Sequence, residues 1–329
     1  MILIITTEEG DFSHPQIINW LIYRKAKYII ITGEEIVMNK KCITIKNGNF
    51  YYDGINLTDE ISCVYYRRWL VPANFRLTND STLNDTLLQN LFYEAKEIRD
   101  FLFSNLESKV WIPNLKYLSV NKLNVLEKAK EIGFNIPDYI VTNQKKELVN
   151  FYNNYNKDII CKAIGNYSKI YTDNGSIINT IYTKTIDDKL IKKLPDIFFI
   201  SLFQKRITKL LELRVLYFNN KTYPIGVMSQ ENELTKFDSR KNSESIESRL
   251  VPINIPRSLT QKINKLMKTL NLNIGSLDFI LDDNNDYYFL EVNPVGQIGG
   301  YSRRTTYNIE KQIIDYLIDL DYNYEKTKK

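Results

Sequence analysis

The chain has 329 residues, 43% of them hydrophobic, which is enough for two or three globular domains with their own cores. Its formal charge of +5 is spread along the sequence without a basic stripe, and this argues against a nucleic-acid binder. No apolar run reaches membrane-spanning length, no secretory signal is visible, and the three cysteines lack metal-ligand spacing. We therefore expect a cytoplasmic protein with reduced thiols.

The N-terminal part is predicted to alternate strands and helices. Residues 1–6 form a buried strand, Ser13 begins a helix with Pro15 in its first turn, and residues 28–32 form the next strand. This order is typical of a Rossmann-like domain, although the first turn lacks a GxGxxG motif and predicts no dinucleotide site. A third strand runs into Arg67-Arg68-Trp69, where the arginines either recognise a phosphate or carboxylate or form surface ion pairs.

The middle of the chain contains a lysine in an unusual position. After a helix over residues 81–106 and a domain boundary near 111–114, helices begin at Ser119 and Lys145, and each is followed by a strand. The second of these strands, 158–163, contains Lys162 between apolar neighbours. A lysine in a buried strand is costly unless an anion meets it, so we predict a phosphate contact. The loop at 165–169 and the Asn174-Gly175 turn are predicted to fold over a phosphate chain.

The last part is predicted to be mainly strands. We expect strands at 198–207, 211–218 and 223–229, a polar loop at 239–248, and helices over 256–270 and 309–320. Glu212 and Arg214 lie two residues apart in the second strand and therefore share one face.

The hairpin at 275–293 gives the strongest indication of a functional site. Two apolar-rich runs flank the polar turn 282–286, and a turn centred between Asn284 and Asn285 sets the register. The predicted register places on one face the pairs Asp278 with Glu291, Ser276 with Asn293, and Ile280 with Phe289.

Facing carboxylates on neighbouring strands repel each other and need a compensating cation. Asp278, Glu291 and Asn293 offer hard oxygen donors, which suit Mg²⁺. The alternative is a solvated hairpin face on which acids happen to pair. Pro294 and the glycine-rich loop at 296–300, directly after Asn293, favour the metal site.

An ordered set of motifs resembles the ATP-grasp superfamily. The set is Lys122, Lys162, FQKRI at 203–207, ELR at 212–214, LDF at 277–279 and LEVNP at 290–294. Within that superfamily, LEVNPVGQIGG at 290–300 and YRRW at 66–69 are similar to the microviridin-type, or graspetide, peptide ligases, and more narrowly to the grasp-with-spasm maturases. The resemblance covers almost the whole chain.

The resemblance implies an α/β (α+β), three-domain ATP-grasp fold. A Rossmann-like domain would occupy residues 1–112, a central ATP-grasp subdomain 113–197, and a C-terminal ATP-grasp subdomain with the metal site 198–329. ATP and Mg²⁺ would bind between the last two.

The resemblance also implies a role for each motif residue. Asp278, Glu291 and Asn293 would hold Mg²⁺. Lys122 and Lys162 would contact the ATP phosphates, the segment with Gln204, Lys205 and Ile207 would border adenine, and Glu212 would approach the ribose. Arg214 and Arg240 would stabilise the transferring phosphoryl group and its acceptor. Lys205 departs from the family pattern, because related ligases often have an acid there. A lysine cannot accept a hydrogen bond from the adenine amine, so either backbone carbonyls do so or the alignment of this strand is off by one.

The implied activity is that of an ATP-dependent peptide macrocyclase. Phosphorylation of a side-chain carboxylate gives an acyl phosphate with a good leaving group, and a hydroxyl or amine of the same peptide then closes an ester or amide ring. The partner would be a ribosomal precursor peptide with a leader and an acidic, Thr/Ser-rich core, and a homodimer is expected from the family.

Other functions differ mainly in the acceptor. An ATP-grasp ligase that joins an amino acid to a small molecule or to a protein C-terminus would share every nucleotide-site residue. A non-catalytic nucleotide sensor is disfavoured, because a pure binder does not need groups that act on the γ-phosphate.

Overall fold

The structure, a computed structural model, describes residues 1–7, 11, 13–69, 76–165, 170–171, 177–178, 183–228 and 249–328. The predicted loop at 239–248 with Arg240, the Asn174-Gly175 turn and most of the loop at 165–169 lie outside these residues. None of the described helices combines the length and apolar character needed to cross a membrane.

The N-terminal region contains a parallel sheet. Its elements are β1 (Ile2–Thr6), α1 (His14–Tyr23), β2 (Tyr28–Thr32), α2 (Gly33–Val37), β3 (Ile43–Lys46), β4 (Asn49–Tyr52), β5 (Ile55–Asn56), α3 (Leu57–Glu60), β6 (Cys63–Tyr66), α4 (Ser81–Asn105) and β7 (Val110–Ile112). The parallel strands lie in the order β2-β1-β6-β7.

Both faces of this sheet are covered, which explains the unbroken apolar run of β1. Ile2 and Ile4 pack with α1 and the C-terminal helix, whereas Leu3 and Ile5 pack on the opposite side with α4. Alternate residues of a strand point to opposite faces, so a strand buried on both faces shows no polar alternation.

A small antiparallel sheet of β3, β4 and β5 was not predicted. Its turns contain Asn47-Gly48 and Asp53-Gly54, and all of these residues have positive φ. Asn-Gly and Asp-Gly are typical of tight hairpin turns with this geometry, so the signal was present in the sequence.

The central region forms a second, antiparallel sheet. Its elements are α5 (Lys122–Ile132), β8 (Tyr139–Gln144), α6 (Lys145–Asn154), β9 (Ile159–Lys162), β10 (Ile170–Tyr171), β11 (Ile177–Ile178), β12 (Lys184–Thr185), α7 (Asp188–Lys193) and β13 (Ile197–Lys205). Asn121, rather than the predicted Ser119, caps α5, because its side chain accepts a hydrogen bond from the Asn124 amide; Gly133, with φ +97°, ends the helix as predicted.

β13 pairs with both β8 and β9 in the order β12-β9-β13-β8. The predicted boundary between residues 197 and 198 would separate this strand from its hydrogen-bonding partners. We therefore propose that the central subdomain extends through Lys205.

The C-terminal region is built on a third sheet. Its elements are β14 (Leu211–Phe218), β15 (Lys221–Met228), β16 (Arg249–Pro252), α8 (Arg257–Thr269), β17 (Ile274–Leu281), β18 (Tyr287–Asn293), α9 (Gly299–Thr305) and α10 (Ile309–Thr327). The strands are antiparallel in the order β16-β15-β14-β17-β18. On β14, Val215 and Tyr217 pack against α5 and α8, and Leu216 and Phe218 pack toward α10.

A buried ion pair joins the N-terminal region to the C-terminal one. Arg67 is 1% exposed, its Nε donates to Asp11 Oδ2 at 3.1 Å, and its Nη1 donates to the Gly296 carbonyl at 3.2 Å. Burial pushes the pKa of Asp11 upward, but the charge and hydrogen bonds of Arg67 outweigh burial and hold that pKa below its ordinary value. Arg67 therefore binds a carboxylate inside the protein and does not form the surface ion pair considered from the sequence.

We expect Asp11→Ala to lower the free energy of unfolding by about 3–5 kcal/mol at neutral pH, because it leaves the Arg67 charge buried and unpaired. Chemical denaturation measures this difference. This difference should begin to shrink as the pH falls below about 4, where an unfolded Asp takes up a proton, and it should be lost once the pH has fallen through the lowered pKa of Asp11 in the native protein.

The matched control is Asp100→Ala, since the Asp100 carboxylate is 42% exposed and pairs with Arg99 at 2.6 Å on the surface of α4. That variant should lose under about 1 kcal/mol. Equal losses in the two variants would contradict the structural role of the buried pair.

Candidate active site

The hairpin of β17 and β18 confirms the predicted pairing at its functional end. Asp278 lies opposite Glu291, and Ser276 lies opposite Asn293. Nearer the turn the prediction was wrong, because Ile280 pairs with Tyr288 and Phe289 pairs with Phe279. An irregularity after Asp278 shifts the register by one residue on β18.

The shift satisfies two demands that strict alternation cannot meet together. Phe289 is fully buried and its ring lies 5.5 Å from both Phe279 and Phe134, on the face opposite Asp278. With regular pairing Phe289 and Glu291 would share a face. One extra residue in β18 lets Phe289 enter the core while Glu291 still faces Asp278.

Each of the two facing carboxylates has a basic partner from another element. Arg214 of β14 lies directly opposite Asp278 in register; its Nε is 2.8 Å from Oδ1 and its Nη2 donates to Oδ2 at 2.9 Å. Lys122, the first residue of α5, places its Nζ 3.1 Å from Glu291 Oε2. The structure thus brings together four of the predicted site residues.

Negative charge is concentrated around Asp278. Burial raises the pKa of Asp278 to about 6; the charge of Arg214 opposes the rise, and the charges of Glu291 and Glu212 add to it. A carboxylate that is disfavoured by burial and by neighbouring acids is stabilised when a cation binds to it. The electrostatics therefore suit a divalent cation.

The donor set fits magnesium better than a metal held entirely by protein. Within the described part of the chain, no group of three or more His, Cys, Asp or Glu side chains is placed to hold a metal ion. The predicted set has two carboxylates and the amide of Asn293, which is exposed at the end of β18. Mg²⁺ commonly binds through one or two carboxylates and completes its shell with water and substrate phosphates.

Tyr301 is a site residue that the sequence reasoning missed. It lies in the short helix α9, and the Arg214 guanidinium carbon is 4.7 Å from the centre of its ring. A guanidinium at this distance over an aromatic face is held in orientation by cation–π attraction. The signal available in the sequence was an aromatic residue directly after the glycine-rich loop, but nothing in the loop indicated where the side chain of that residue would lie.

The other predicted nucleotide-binding residues lie in or beside the strands of the neighbouring regions. Lys162 ends β9 and pairs with Leu202 of β13, and Gln204 is 2% exposed on β13. Lys205 is exposed, with its Nζ 5.9 Å from the centre of the Tyr155 ring.

Ile207 follows β13 and is half-buried. Glu212, on β14, has the Nζ of Lys209 at 3.1 Å from its Oε2. Arg240 is outside the described residues.

Comparisons with known proteins agree with this architecture. Residues 206–317 match the model of the RimK-like ATP-grasp domain. A comparison with curated proteins gives no match. Among solved structures, the chain is similar to a Chryseobacterium gregarium RiPP-associated ATP-grasp ligase in complex with ADP and a leader and core peptide, at 26% identity and a TM-score of 0.81, over 97% of this chain and 96% of that one.

Two further solved structures have the same fold. The macrocyclase MdnC of Microcystis aeruginosa, bound with the precursor peptide MdnA, is 22% identical with a TM-score of 0.81, over 97% of this chain and 99% of that one. The ATP-grasp ligase PsnB, complexed with a precursor variant, Mg and ADP, is 15% identical with a TM-score of 0.75, over 97% of this chain and 98% of that one. The predicted fold and the resemblance to peptide ligases of the ATP-grasp superfamily are confirmed.

We expect Mg²⁺ to stabilise the native protein through Asp278 and Glu291. At a concentration about tenfold above its Kd, a ligand that binds only the native state adds about 1.4 kcal/mol to the free energy of unfolding. Thermal unfolding with and without Mg²⁺ measures this, and an Asp278→Asn/Glu291→Gln variant should lose the effect.

Asp283→Asn is the matched control, because Asp283 is an exposed carboxylate in the turn of the same hairpin. It should keep the Mg²⁺ response of the wild type. A response that survives in the double variant would place the metal elsewhere.

Proposed function

We propose that this chain, an ATP-grasp ligase, activates side-chain carboxylates of a ribosomal precursor peptide and closes ester or amide macrocycles within that peptide. The observation that carries the proposal is the similarity, over nearly the full length of both chains, to a ligase in complex with ADP and a leader and core peptide. The local geometry supports it, because a basic side chain able to bind a carboxylate lies beside a pair of candidate metal ligands.

ATP and Mg²⁺ are the proposed cofactors. Asp278, Glu291 and Asn293 would hold Mg²⁺, which when bound neutralises phosphate charge during phosphoryl transfer. Lys122 and Lys162 would contact the phosphates. The proximity of Lys122 to Glu291 supports its part in this arrangement, since the phosphates must approach the same metal-binding carboxylate.

Arg214 is the proposed anchor for the peptide carboxylate. Its planar guanidinium has a fork of N–H groups that matches a carboxylate, and it lies beside both oxygens of Asp278, with one hydrogen bond from Nη2 to Oδ2. With a cation held by Asp278, this guanidinium would be free to bind the acceptor carboxylate, and Arg240 would share this role. The γ-phosphoryl group passes from ATP to the carboxylate oxygen, which gives ADP and an acyl phosphate.

The ring then closes within the same peptide. A hydroxyl or amine attacks the acyl carbon, its proton is released, and inorganic phosphate leaves, so each ring lowers the peptide mass by one water. This chemistry needs carboxylate and hydroxyl or amine side chains in one peptide, which is why we propose an acidic, Thr/Ser-rich core together with a leader segment. The predicted homodimer rests on the resemblance alone.

The segment 204–207 is the proposed adenine border and Glu212 the proposed ribose contact. Lys205 is exposed and lies near Tyr155, and its ammonium has no acceptor to offer the adenine amine. We therefore favour backbone carbonyls of this segment as the adenine acceptors.

We expect wild-type protein with ATP and Mg²⁺ to remove about 18 mass units per ring from a short acidic, Thr/Ser-rich peptide encoded beside its gene, as measured by mass spectrometry. Arg214→Met should lower the rate about 10²–10³-fold, because it removes a charge that stabilises the transferring group. Arg214→Lys should retain part of the rate, since it keeps the charge but not the fork.

Arg257→Met is the control for loss of an arginine, because Arg257 is exposed at the start of α8. It should cyclise the peptide at the wild-type rate. No change in peptide mass, with ATP consumed only when free amino acids are supplied, would instead support a ligase for small molecules.

A further inference from the structure

The turn between β18 and α9 is held by side chains from the N-terminal region. Arg67 Nη1 donates to the Gly296 carbonyl at 3.2 Å, and the Ser13 hydroxyl donates to Gln297 Oε1 at 2.9 Å. The same hydroxyl accepts hydrogen bonds from the Ile298 and Gly299 amides at 3.2 and 3.3 Å. Residues 296–299 therefore take part in four hydrogen bonds with residues more than two hundred positions away.

Asp11 organises the side chains that hold this turn. Its Oδ1 accepts a hydrogen bond from the Ser13 amide at 3.0 Å, and its Oδ2 accepts one from Arg67 Nε at 3.1 Å. Asp11, Ser13 and Arg67 are each at most 4% exposed. Ser13 is the N-cap residue of α1, as predicted, but its side chain makes no cap hydrogen bond and instead bonds to the turn at 297–299.

The turn has little room to move against β17. A Cβ atom at Gly296 would lie 2.6 Å from the Cβ of Ser276, the residue that pairs with Asn293. The position of the turn therefore fixes where α9 begins, at Gly299, and two residues later α9 places the Tyr301 ring over Arg214.

We propose that Asp11, Ser13 and Arg67 are positioning residues that fix α9, so that Tyr301 orients the Arg214 guanidinium toward the peptide carboxylate. The chemical part of this inference rests on the proposed function. A cation on Asp278 would compete with the contact that orients Arg214 in the structure, and the Tyr301 ring would then keep the plane of the guanidinium. The N-terminal region thus acts on the acceptor site through a single turn.

The first measurement is backbone hydrogen exchange, which needs no substrate. Ser13→Ala should speed exchange across residues 297–305 by about tenfold, because the Ile298 and Gly299 amides lose their buried acceptor. Ser13→Thr, which keeps the hydroxyl, should restore slow exchange.

Ser62→Ala is the matched control. Ser62 is also a buried serine of the N-terminal region, and its hydroxyl donates a hydrogen bond to Asp321 of α10 at 2.6 Å. The variant therefore removes a different hydrogen bond between the same two regions. Exchange across 297–305 should stay at the wild-type rate in Ser62→Ala. Unchanged exchange in Ser13→Ala, or equal acceleration in both variants, overturns the proposal.

The second measurement distinguishes a positioning role of Ser13 from a general loss of protein stability in the variant. In Ser13→Ala we expect kcat for ring closure to fall about tenfold, while KM for ATP stays within about twofold, because the nucleotide residues do not depend on α9. Tyr301→Leu should show the same split, and Tyr301→Phe should resemble the wild type, since the ring rather than the hydroxyl lies over Arg214.

Faster exchange without a change in kcat overturns the positioning role. If the wild type itself closes no rings, the proposed function fails, and the inference about the acceptor falls with it. The exchange experiment still reports separately whether Ser13 holds the turn, so the two failures are distinguishable.

Discussion

Two carboxylates that face each other across β17 and β18 impose the constraint on which the site depends. Asp278 and Glu291 lie opposite each other, and Asp278 is mostly buried, so solvent alone cannot stabilise the two negative charges. Each is met by a basic side chain from a different element, Arg214 of β14 and Lys122 of α5. Neutralising one acid pair therefore brings a strand and a helix to the same place.

Under the proposed function, the same constraint gives the site two states of charge. In the structure, Arg214 and Lys122 balance the carboxylates. A divalent cation on the carboxylates would make both basic groups available to the phosphates and the acceptor carboxylate of the proposed reaction. The residues that pair with the carboxylates in the structure would then be those that bind the reactants, so occupation by metal and binding of anionic substrates would favour each other.

The sequence was sufficient for the features that depend on local rules. Alternation and a polar turn predicted that Asp278 faces Glu291, and the apolar run of residues 1–6 predicted a buried strand. The register near the turn was not predictable in this way. It depends on the packing of Phe289 with Phe134 and Phe279, and Phe134 comes from a distant part of the chain.

The burial of Arg67 and the contact of Tyr301 with Arg214 also depend on long-range contacts. Arg67 ends a strand, where an exposed ion pair is common, and only the approach of Asp11 and the Gly296 carbonyl makes it a buried residue. Tyr301 reaches Arg214 because the turn at 296–299 is fixed from the N-terminal region. A single sequence contains the residues of such contacts but not their pairing.

The Asp11–Arg67 pair is better explained by the fixed geometry of its hydrogen bonds than by a contribution to stability. Burying two charges costs several kcal/mol in desolvation, and a well-packed apolar pair of similar volume is often as stable or more so. Apolar side chains, however, have no fixed donor geometry. The Arg67 guanidinium donates a hydrogen bond to the Gly296 carbonyl, and the Asp11 carboxylate accepts one from the Ser13 amide. The Ser13 hydroxyl in turn accepts hydrogen bonds from the Ile298 and Gly299 amides of the same turn. An ionic, hydrogen-bonded core at this point can therefore set the start of α9 to within the tolerance of a hydrogen bond, which packing alone does not do.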